Sequence, residues 1–495
     1  AGSSITGLCF GRRPDGGAWS ASAIVCSPGA SNGGGGGGLL LRGTLLAPGG
    51  AYDGEVLVVG DTIACVGTSC SGAPGAAGAS IVDTGGVILP GLIDVHNHVL
   101  YDIFDENDWT PAQLYTNHNQ WPNEARYKAM VDAKQYLNGE GSSTWDYGCE
   151  MDKYGELKGL IAGTTSIVGA AITSNRGCYG SLSRTIDQSP NDLGFDKVQT
   201  SALFPISTST ADAVCDNIMS GATDAYVAHV AEGTDAVSLD EFARLGTVTT
   251  LDECLYAPQT TIVHGTALQA AQFDVMAARS MSLVWSPRVN VFLYGGGTDL
   301  AGTSPNIPLA RAKGVNVALG ADWSVGGSVN LLEELRFANH VDDQVWGNQL
   351  SSRDLVTMAT ANAAVSLGLD TVIGSLAVGM KADIAVIAGD RTHPYDAVLA
   401  ARPANVKMTI VGGVLLYGDL PYESLAPAAP GCEHLDICGV QKFACVAESD
   451  GTASNKLGQT YAEIRSALVG ALQSYDNLDL SAWNFAPIAP LVRCE

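Results

Sequence analysis

Short apolar runs alternate with longer amphipathic stretches through the middle of the chain, from about residue 91 to residue 365. The runs end in Gly, Pro, Ser or charged residues, as buried strands do. The stretches between them, such as "SLDEFARLG", "TALQAAQFDVMAARS" and "NLLEELRFANHV", have apolar residues three and four positions apart, which is typical of helices. Seven apolar runs are clear: "VILPGLIDVH", "TTSIVGAAI", "KVQTSALFPI", "DAYVAHVAE", "TTIVHG", "MSLVWSP" and "VNVALGAD".

Strands that alternate with helices predict a parallel sheet covered on both faces. Seven or eight such units over about 270 residues match the usual size of a TIM-type barrel. We therefore predict an α/β fold with a distorted (β/α)8 barrel over residues 91–370. The eighth strand is not evident, and residues 177–187, "GCYGSLSRTID", are one place where it could lie.

The segments on either side of the predicted barrel have a different texture. Residues 38–90 and 371–420 contain short β-type runs punctuated by Gly and Asp, which indicate hairpins. We expect these two segments to pair into one small β-sandwich. Residues 1–37 are interpreted as a lead-in with a Gly-rich linker, "SNGGGGGG". Residues 421–495 form a Cys-rich extension with one amphipathic helix, "QTYAEIRSALVGALQSY".

The charge balance excludes one class of partner. The chain has 26 basic and 51 acidic residues, a net charge of −25, whereas nucleic-acid binding needs clustered Lys and Arg. No apolar run reaches the roughly 18 residues that a membrane-spanning helix needs. We therefore expect a small-molecule substrate, no nucleic acid and no transmembrane segment, with a homo-oligomer left open.

The twelve cysteines are even in number and form no CxxC zinc motif. Such a count favours disulfides and hence an extracytoplasmic location, which covers periplasmic, secreted and surface-anchored proteins. The alternative is a cytosolic protein with buried free thiols. The cysteines fall into local sets: Cys9 with Cys26, Cys65 with Cys70, Cys149 with Cys178, Cys215 with Cys254, and Cys432, Cys438, Cys445 and Cys494.

Four histidines and one aspartate follow apolar runs directly. His96 and His98 are two positions apart at the end of a strand and therefore share a face, where buried imidazoles favour a bound metal ion. His229, His264 and Asp322 end later runs, and a barrel brings the ends of its strands to one mouth. Taken singly, each residue could be a hydrogen-bonded core residue or a helix cap. Taken together, they predict a metal site.

The series "DVHNH", "HVAE", "VHG" and "LGADWS" resembles the amidohydrolase superfamily of metal-dependent hydrolases. "PGLIDVHNH" and "GSLAVGMKADIAVI" resemble further passages of that family, and the likeness spans roughly residues 38–420. The Glu three residues after the third His, and "SPRVNVFL", are similar to the branch that contains cytosine, guanine and adenosylhomocysteine deaminases and triazine hydrolases. The resemblance implies one divalent metal ion, Zn²⁺ first and Fe²⁺ as the alternative, held by His96, His98, His229 and Asp322.

The resemblance also implies the catalytic roles. Glu232 would carry a proton from water to the leaving nitrogen, His264 would polarise the group under attack, and Asp322 would orient the attacking water. A second branch of the family uses two metals bridged by a lysine at a strand exit. Lys197 lies at the start of its strand instead, so we predict a single metal.

The expected reaction is hydrolysis of a C–N bond, specifically deamination of an aminated heterocycle. One alternative is hydrolysis of an amide, urea or cyclic amide, or loss of another leaving group from a heteroaromatic ring. A second is an inactive barrel that acts as a binding protein, which the complete set of site residues disfavours. The substrate-contact candidates lie after the first and last strands and after "SP": Trp109, His118, Asn119, Trp121, Asn290, Trp323 and Ser324.

Overall fold

The structure of the chain is a computed structural model. It describes residues 9–10, 21–22, 38–141, 143–169, 182–188, 191, 193, 197–202, 204–428, 431–447 and 457–494. The predicted lead-in and linker therefore fall outside the described residues, except for strands β1 (Cys9–Phe10) and β2 (Ala21–Ser22), which pair antiparallel.

Among the described residues, a parallel sheet of three strands and another of five give the central region a TIM-barrel-like α/β architecture. Each of the seven predicted runs contains a strand. The eighth strand lies within residues 177–187, but it is only two residues long. Hydrogen bonds order the strands as β7-β8-β9 and β10-β11-β12-β13-β14, and no ladder joins β9 to β10 within the described residues. Their bounds are β7 Leu92–Asp94, β8 Thr164–Ile167, β9 Arg184–Thr185, β10 Val198–Ser201, β11 Ala225–Val230, β12 Thr260–His264, β13 Ser282–Trp285 and β14 Asn316–Leu319.

Alternate side chains of these strands belong to two different apolar clusters. Ile262 and Leu283 pack with the helices, whereas their neighbours Val263 and Val284 pack together in a second, fully buried cluster. Because successive side chains of a strand point to opposite faces, the strands carry apolar residues on both faces. This arrangement explains why the strands appear in the sequence as continuous apolar runs rather than alternating ones.

The two flanking segments meet in one nine-stranded sheet, to which the Cys-rich extension adds two strands, β18 and β19. Strand β6 from the first segment pairs antiparallel with β15 from the second, and the order is β18-β19-β17-β16-β15-β6-β3-β4-β5. Both segments thus contribute strands to one sheet, while the sandwich and the domain bounds stay predictions. The bounds are β3 Leu39–Ala47, β4 Gly50–Val59, β5 Thr62–Gly67, β6 Ser80–Pro90, β15 Ile384–Ile387, β16 Val406–Val411, β17 Val414–Asp419, β18 Glu433–Ile437 and β19 Val440–Ala444.

The helices predicted from apolar spacing are present as α4, α5, α8 and α12. Side chains of Asp235, Asn330 and Thr460 cap α4, α8 and α12 by accepting backbone N–H bonds in the first turn. Within the described chain, no helix has both the length and the apolar character needed to cross a membrane. The bounds are α1 Ala125–Leu137, α2 Gly148–Leu160, α3 Thr208–Ser220, α4 Ala236–Thr247, α5 Ala270–Ala278, α6 Pro287–Tyr294, α7 Ile307–Ala312, α8 Leu331–Val341, α9 Ser352–Met358, α10 Ala361–Ser366, α11 Pro394–Ala400 and α12 Tyr461–Asp476.

Four disulfides connect described cysteines. Two of them are the predicted local pairs Cys65–Cys70 and Cys215–Cys254, and the extension contains the other two. The suggested partners Cys26 and Cys178 lie outside the described residues. The disulfides of the extension are Cys432–Cys445 and Cys438–Cys494.

Replacing both Cys215 and Cys254 by Ser should lower the free energy of unfolding by about 4 kcal/mol, because the bond closes a long loop. The two residues are 39 positions apart. Cys65 and Cys70 are five apart, and their double Ser variant should cost only about 2 kcal/mol. Urea denaturation of both variants and of the parent protein measures which variant loses more free energy of unfolding. An equal or reversed order would contradict the loop-closure explanation.

Candidate active site

The predicted ligand residues lie at the carboxyl ends of three barrel strands. His96 and His98 follow β7, His229 lies in β11, and Asp322 follows β14. The ring centroid of His96 is 4.9 Å from that of His98 and 4.6 Å from that of His229. His264, at the end of β12, has its ring 5.1 Å from His229. All five side chains therefore form one cluster.

Backbone contacts between the first and last barrel strands hold Asp322 against the paired histidines. The Asp322 amide donates to His96 O at 2.9 Å, and the His98 amide donates to Asp322 O at 2.6 Å. A Cβ on Gly320 would lie 2.7 Å from the His96 Cβ, so this approach requires glycine.

Two of the clustered residues have a left-handed backbone. The φ angle is 64° at His264 and 69° at Asp322, a conformation that costs non-glycine residues about 1–3 kcal/mol. Val263 belongs to the buried cluster of strand side chains, so regular alternation would direct His264 to the opposite face. The left-handed backbone at His264 breaks this alternation and lets its ring join the site.

The nitrogen and oxygen atoms of the cluster converge on a common point. His96 Nε2 and His98 Nε2 lie 3.2 Å and 3.6 Å from Asp322 Oδ1. One ligand atom each from His96, His98 and His229 lie within 4.8 Å of one another. His229 Nδ1 donates to Ser201 O at 3.1 Å, which leaves its Nε2 free to bind.

The electrostatics of this pocket favour a bound cation. Burial lowers the pKa of His96 and His229 far below its usual range and that of His98 to about 4, so all three imidazoles are neutral. Buried His96 Nε2 has no hydrogen-bond partner among the described residues. Burial also raises the pKa of Asp322. Three neutral imidazoles and a carboxylate are a donor set for Zn²⁺ or a similar divalent ion, so these residues fit the implied metal.

Glu232 lies beside this cluster and approaches His264, which belongs to it. Glu232 Oε1 accepts from the Tyr294 hydroxyl at 2.7 Å, and Glu232 Oε2 is 3.0 Å from His118 Nδ1 and 3.9 Å from His264 Nε2. Burial alone would raise the Glu232 pKa, but His264 and His118 hold it well below its usual range. His264 Nδ1 is 3.0 Å from Asn290 Oδ1, so Nε2 is the nitrogen that faces Glu232.

Known proteins resemble the chain across most of this region. A sequence profile described as the amidohydrolase family matches residues 210–416. A 5'-deoxyadenosine deaminase of Methanothermobacter thermautotrophicus is 28% identical, over 77% of this chain and 93% of that protein. A 5-methylthioadenosine/S-adenosylhomocysteine deaminase of Halobacterium salinarum is 26% identical, over 75% of this chain and 89% of that protein. The chain is therefore similar to the amidohydrolase family, and residues 210–416 carry the match to its profile.

Solved structures show the same kind of fold. Guanine deaminase of E. coli superimposes with a TM-score of 0.57 and 18% identity, covering 77% of this chain and 99% of that chain. An atrazine chlorohydrolase from Arthrobacter aurescens TC1, complexed with zinc, gives a TM-score of 0.57 and 17% identity, covering 76% and 95%. Both support a TIM-barrel-like core.

Three groups that support the site were not predicted from the sequence. Asp94 accepts from the backbone amides of His96 at 3.3 Å and Ala321 at 3.0 Å, and so links the ends of the first and last of the eight strands. Asp94, His96 and His98 are two positions apart, so the sequence alone could have placed Asp94 on the same face of the strand. Tyr294 lies four residues after Asn290 on α6, a spacing that places both on one helix face. Glu241, which contacts His118, has no local sequence signal.

Three of the substrate-contact candidates lie in the interior around the site. The Trp323 ring is 5.9 Å from that of His98, and its buried Nε1 has no hydrogen-bond partner among the described residues. The Trp121 ring is 6.1 Å from that of Trp323, and its Nε1 donates to Tyr294 at 3.1 Å. Asn290 binds His264 and leaves a buried Nδ2 without a described partner.

The other candidates have protein partners or lie at the surface. Trp109 is fully buried and donates to Glu124 at 2.8 Å. The Ser324 hydroxyl donates to Phe104 O at 2.6 Å, which anchors the segment after Asp322. Asn119 is exposed. Both ring nitrogens of His118 have carboxylate partners, Glu232 and Glu241.

Lys197 does not lie at the strand end where a lysine that bridges two metal ions would be needed. It is exposed at the start of β10, and its Nζ donates to Gly221 O at 2.7 Å. The lysine that would bridge two metals belongs at the opposite end of such a strand. The single metal ion stays a prediction.

Replacing His96 by Asn should reduce the bound metal from about one divalent ion per chain to less than about a tenth, because His96 contributes a buried donor at the centre of the set. His340, which is exposed on α8, provides the control, and its Asn variant should keep the full metal content. Elemental analysis after dialysis measures both. Two ions per chain, or an undiminished His96→Asn variant, would contradict the single site.

Proposed function

We propose that this amidohydrolase removes an amino group from an aminated heterocycle with water as the nucleophile. The observation that carries the proposal is the buried convergence of His96, His98, His229 and Asp322 beside Glu232. Relatives that cover three quarters of the chain are named as deaminases, which supports the same reaction class.

The substrate class that we favour is an adenine-bearing nucleoside. The relatives in two organisms are named for 5'-deoxyadenosine, 5-methylthioadenosine and S-adenosylhomocysteine, which share the 6-aminopurine ring. The aromatic rings beside the site support a flat substrate, since Trp323 stands next to His98 and Trp121 next to Trp323. Stacking on such rings is worth about 1 kcal/mol beyond the buried area.

A divalent ion held by the His and Asp side chains would act as a Lewis acid and would lower the pKa of water from about 15.7 to about 7. Glu232 is ionised and accepts a proton from the attacking water. It then gives this proton to the leaving nitrogen as the C–N bond breaks. The overall change is R–NH₂ plus H₂O to R–OH plus NH₃, so one carboxylate serves both transfers.

His264 faces the same space from the other side. Its bond to Asn290 fixes the ring, and its Nε2 lies 3.9 Å from both Glu232 Oε2 and Asp322 Oδ2. When Nε2 carries a proton, it can donate that proton to the ring nitrogen or oxygen on which charge develops. Asp322 Oδ2 faces the same space and can orient the attacking water.

Glu232→Gln should keep the metal content and lower kcat at least about 100-fold, because the amide cannot carry the proton. The measurement is ammonia release from the Zn-loaded protein with 5'-deoxyadenosine, 5-methylthioadenosine, S-adenosylhomocysteine, guanine, cytosine, pterins and triazines, with amides and ureas alongside. His340→Asn serves again as the unchanged control. Turnover of amides, ureas or chlorotriazines without any deamination would overturn the assignment, and an undiminished Glu232→Gln rate would remove Glu232 from the mechanism.

We also propose that the protein works in an oxidising, extracytoplasmic compartment. The four disulfides among the described residues support this, since such bonds persist where thiols are not kept reduced.

Thiol labelling of the native protein, isolated under alkylating conditions, should find none of the eight described disulfide cysteines free. Labelling after reduction in denaturant should then find all eight. Mass spectrometry of the peptides assigns each site. Free thiols at these positions in the folded, unreduced protein would contradict the compartment.

A further inference from the structure

His118 bridges two carboxylates inside the protein. Its Nδ1 lies 3.0 Å from Glu232 Oε2 and its Nε2 lies 2.7 Å from Glu241 Oε1. The side chains of all three residues are almost completely buried. An ionised carboxylate only accepts hydrogen bonds, so satisfying both contacts requires a proton on each ring nitrogen. His118 is then an imidazolium, and neither nitrogen is left for a substrate.

The surroundings of His118 agree with that charge. Burial would lower its pKa, but hydrogen bonds to Glu232 and Glu241 and the charges of both carboxylates raise it to about 10. Without this cation, two carboxylates would share a desolvated pocket. A buried charge that loses its partner is strongly destabilising, so each carboxylate depends on the imidazolium.

The backbone fixes His118 to the same turn that presents Glu232. The His118 amide donates to Glu232 O at 3.2 Å, and Asn117 forms a β-bridge with Gly233. Glu241 reaches the turn from α4, where its Oε2 accepts from the Ala231 amide at 2.9 Å. The segment after the first barrel strand is thereby attached to the exit of β11.

These contacts leave Glu232 little freedom to rotate. Its Oε2 is held by His118 and its Oε1 by the Tyr294 hydroxyl, which is itself held by Trp121. A carboxylate has about four lone-pair sites, so one site on each oxygen stays open. The Glu232 carboxylate approaches His264 Nε2 to 3.9 Å, on the side where the reaction would occur.

We propose that His118 is a positioning residue: held by Glu241, it clamps the Glu232 carboxylate in the orientation from which Glu232 transfers its proton. This inference rests on the proposed role of Glu232. It assigns to His118 a role that differs from the substrate contact expected from the sequence. The bridge acts through Glu232 and does not touch the metal ligands.

The first test observes the bridge without any turnover. In metal-free protein labelled with ¹⁵N-histidine, NMR at pH 8 should show one imidazolium with two hydrogen-bonded N–H protons. Both signals should vanish in His118→Gln and persist in His393→Gln. His393 is the matched control, since it binds the carboxylate of Asp390 at 3.1 Å in an exposed setting. A neutral His118 ring at this pH would overturn the bridge.

The second test separates positioning from substrate binding. With the best substrate, His118→Gln should lower kcat about 100-fold, as expected for a misplaced catalytic group, while KM and metal content change less than threefold. In a Glu232→Gln background the same substitution should cause no further loss, because both act through one group. If the losses in kcat multiply in the double variant, or if His118→Gln raises only KM, the proposal is wrong.

Two variants keep the inference testable if His118→Gln does not fold. Glu241→Gln retains the ring and weakens only its outer anchor, and should lower kcat about tenfold with KM unchanged. His118→Gly with added imidazole should regain at least tenfold in kcat, and a folded variant without rescue would contradict the clamp. A protein that shows the imidazolium but deaminates nothing would overturn the proposed function instead, so the two failures are distinguishable.

Discussion

A pair of backbone hydrogen bonds joins the residues that follow the first and last strands of the barrel, and the site depends on this constraint. The residues that carry it, His96, His98 and Asp322, are also the residues whose side chains converge. Asp94 reinforces the same seam with both carboxylate oxygens. Because the candidate metal ligands belong to these joined strand ends, the backbone contacts that join the ends also assemble the proposed metal site. The same contacts hold the left-handed backbone at Asp322.

Charge balance is the second constraint. Asp322, Glu232 and Glu241 are carboxylates in a volume from which water is almost excluded, and the three neutral histidines offer no compensation. The structure separates the negative charge into two parts. His118 compensates Glu232 and Glu241 on one side, while the donor set with Asp322 is suited to a divalent ion on the other. His264 and His118 hold the pKa of Glu232 well below its usual range, so Glu232 is ionised and can accept a proton.

The predictable part of the molecule is the part that is local in sequence. Seven strands appear as apolar runs, and His229 or Asp322 can be recognised by its position directly after one. The two-residue strand at Arg184–Thr185 is too short to give a period, and His118 lies in a segment without regular periodicity. Its contact with Glu232 spans 114 residues and that with Glu241 spans 123, so no local pattern could distinguish a clamp from a substrate contact.

The Cys-rich extension shows why the site cannot be considered apart from the rest of the chain. Ala489 donates to Ile103 O at 2.7 Å, and Arg493 donates to Ser324 O at 3.2 Å, two residues beyond Asp322. The disulfide to Cys438 holds the end of this tail next to strand β18, in the nine-stranded sheet. The segments that follow the first and last barrel strands are therefore supported from outside the barrel. Since these segments also carry Trp121 and Trp323, the extension supports these two aromatic side chains as well as the candidate metal ligands.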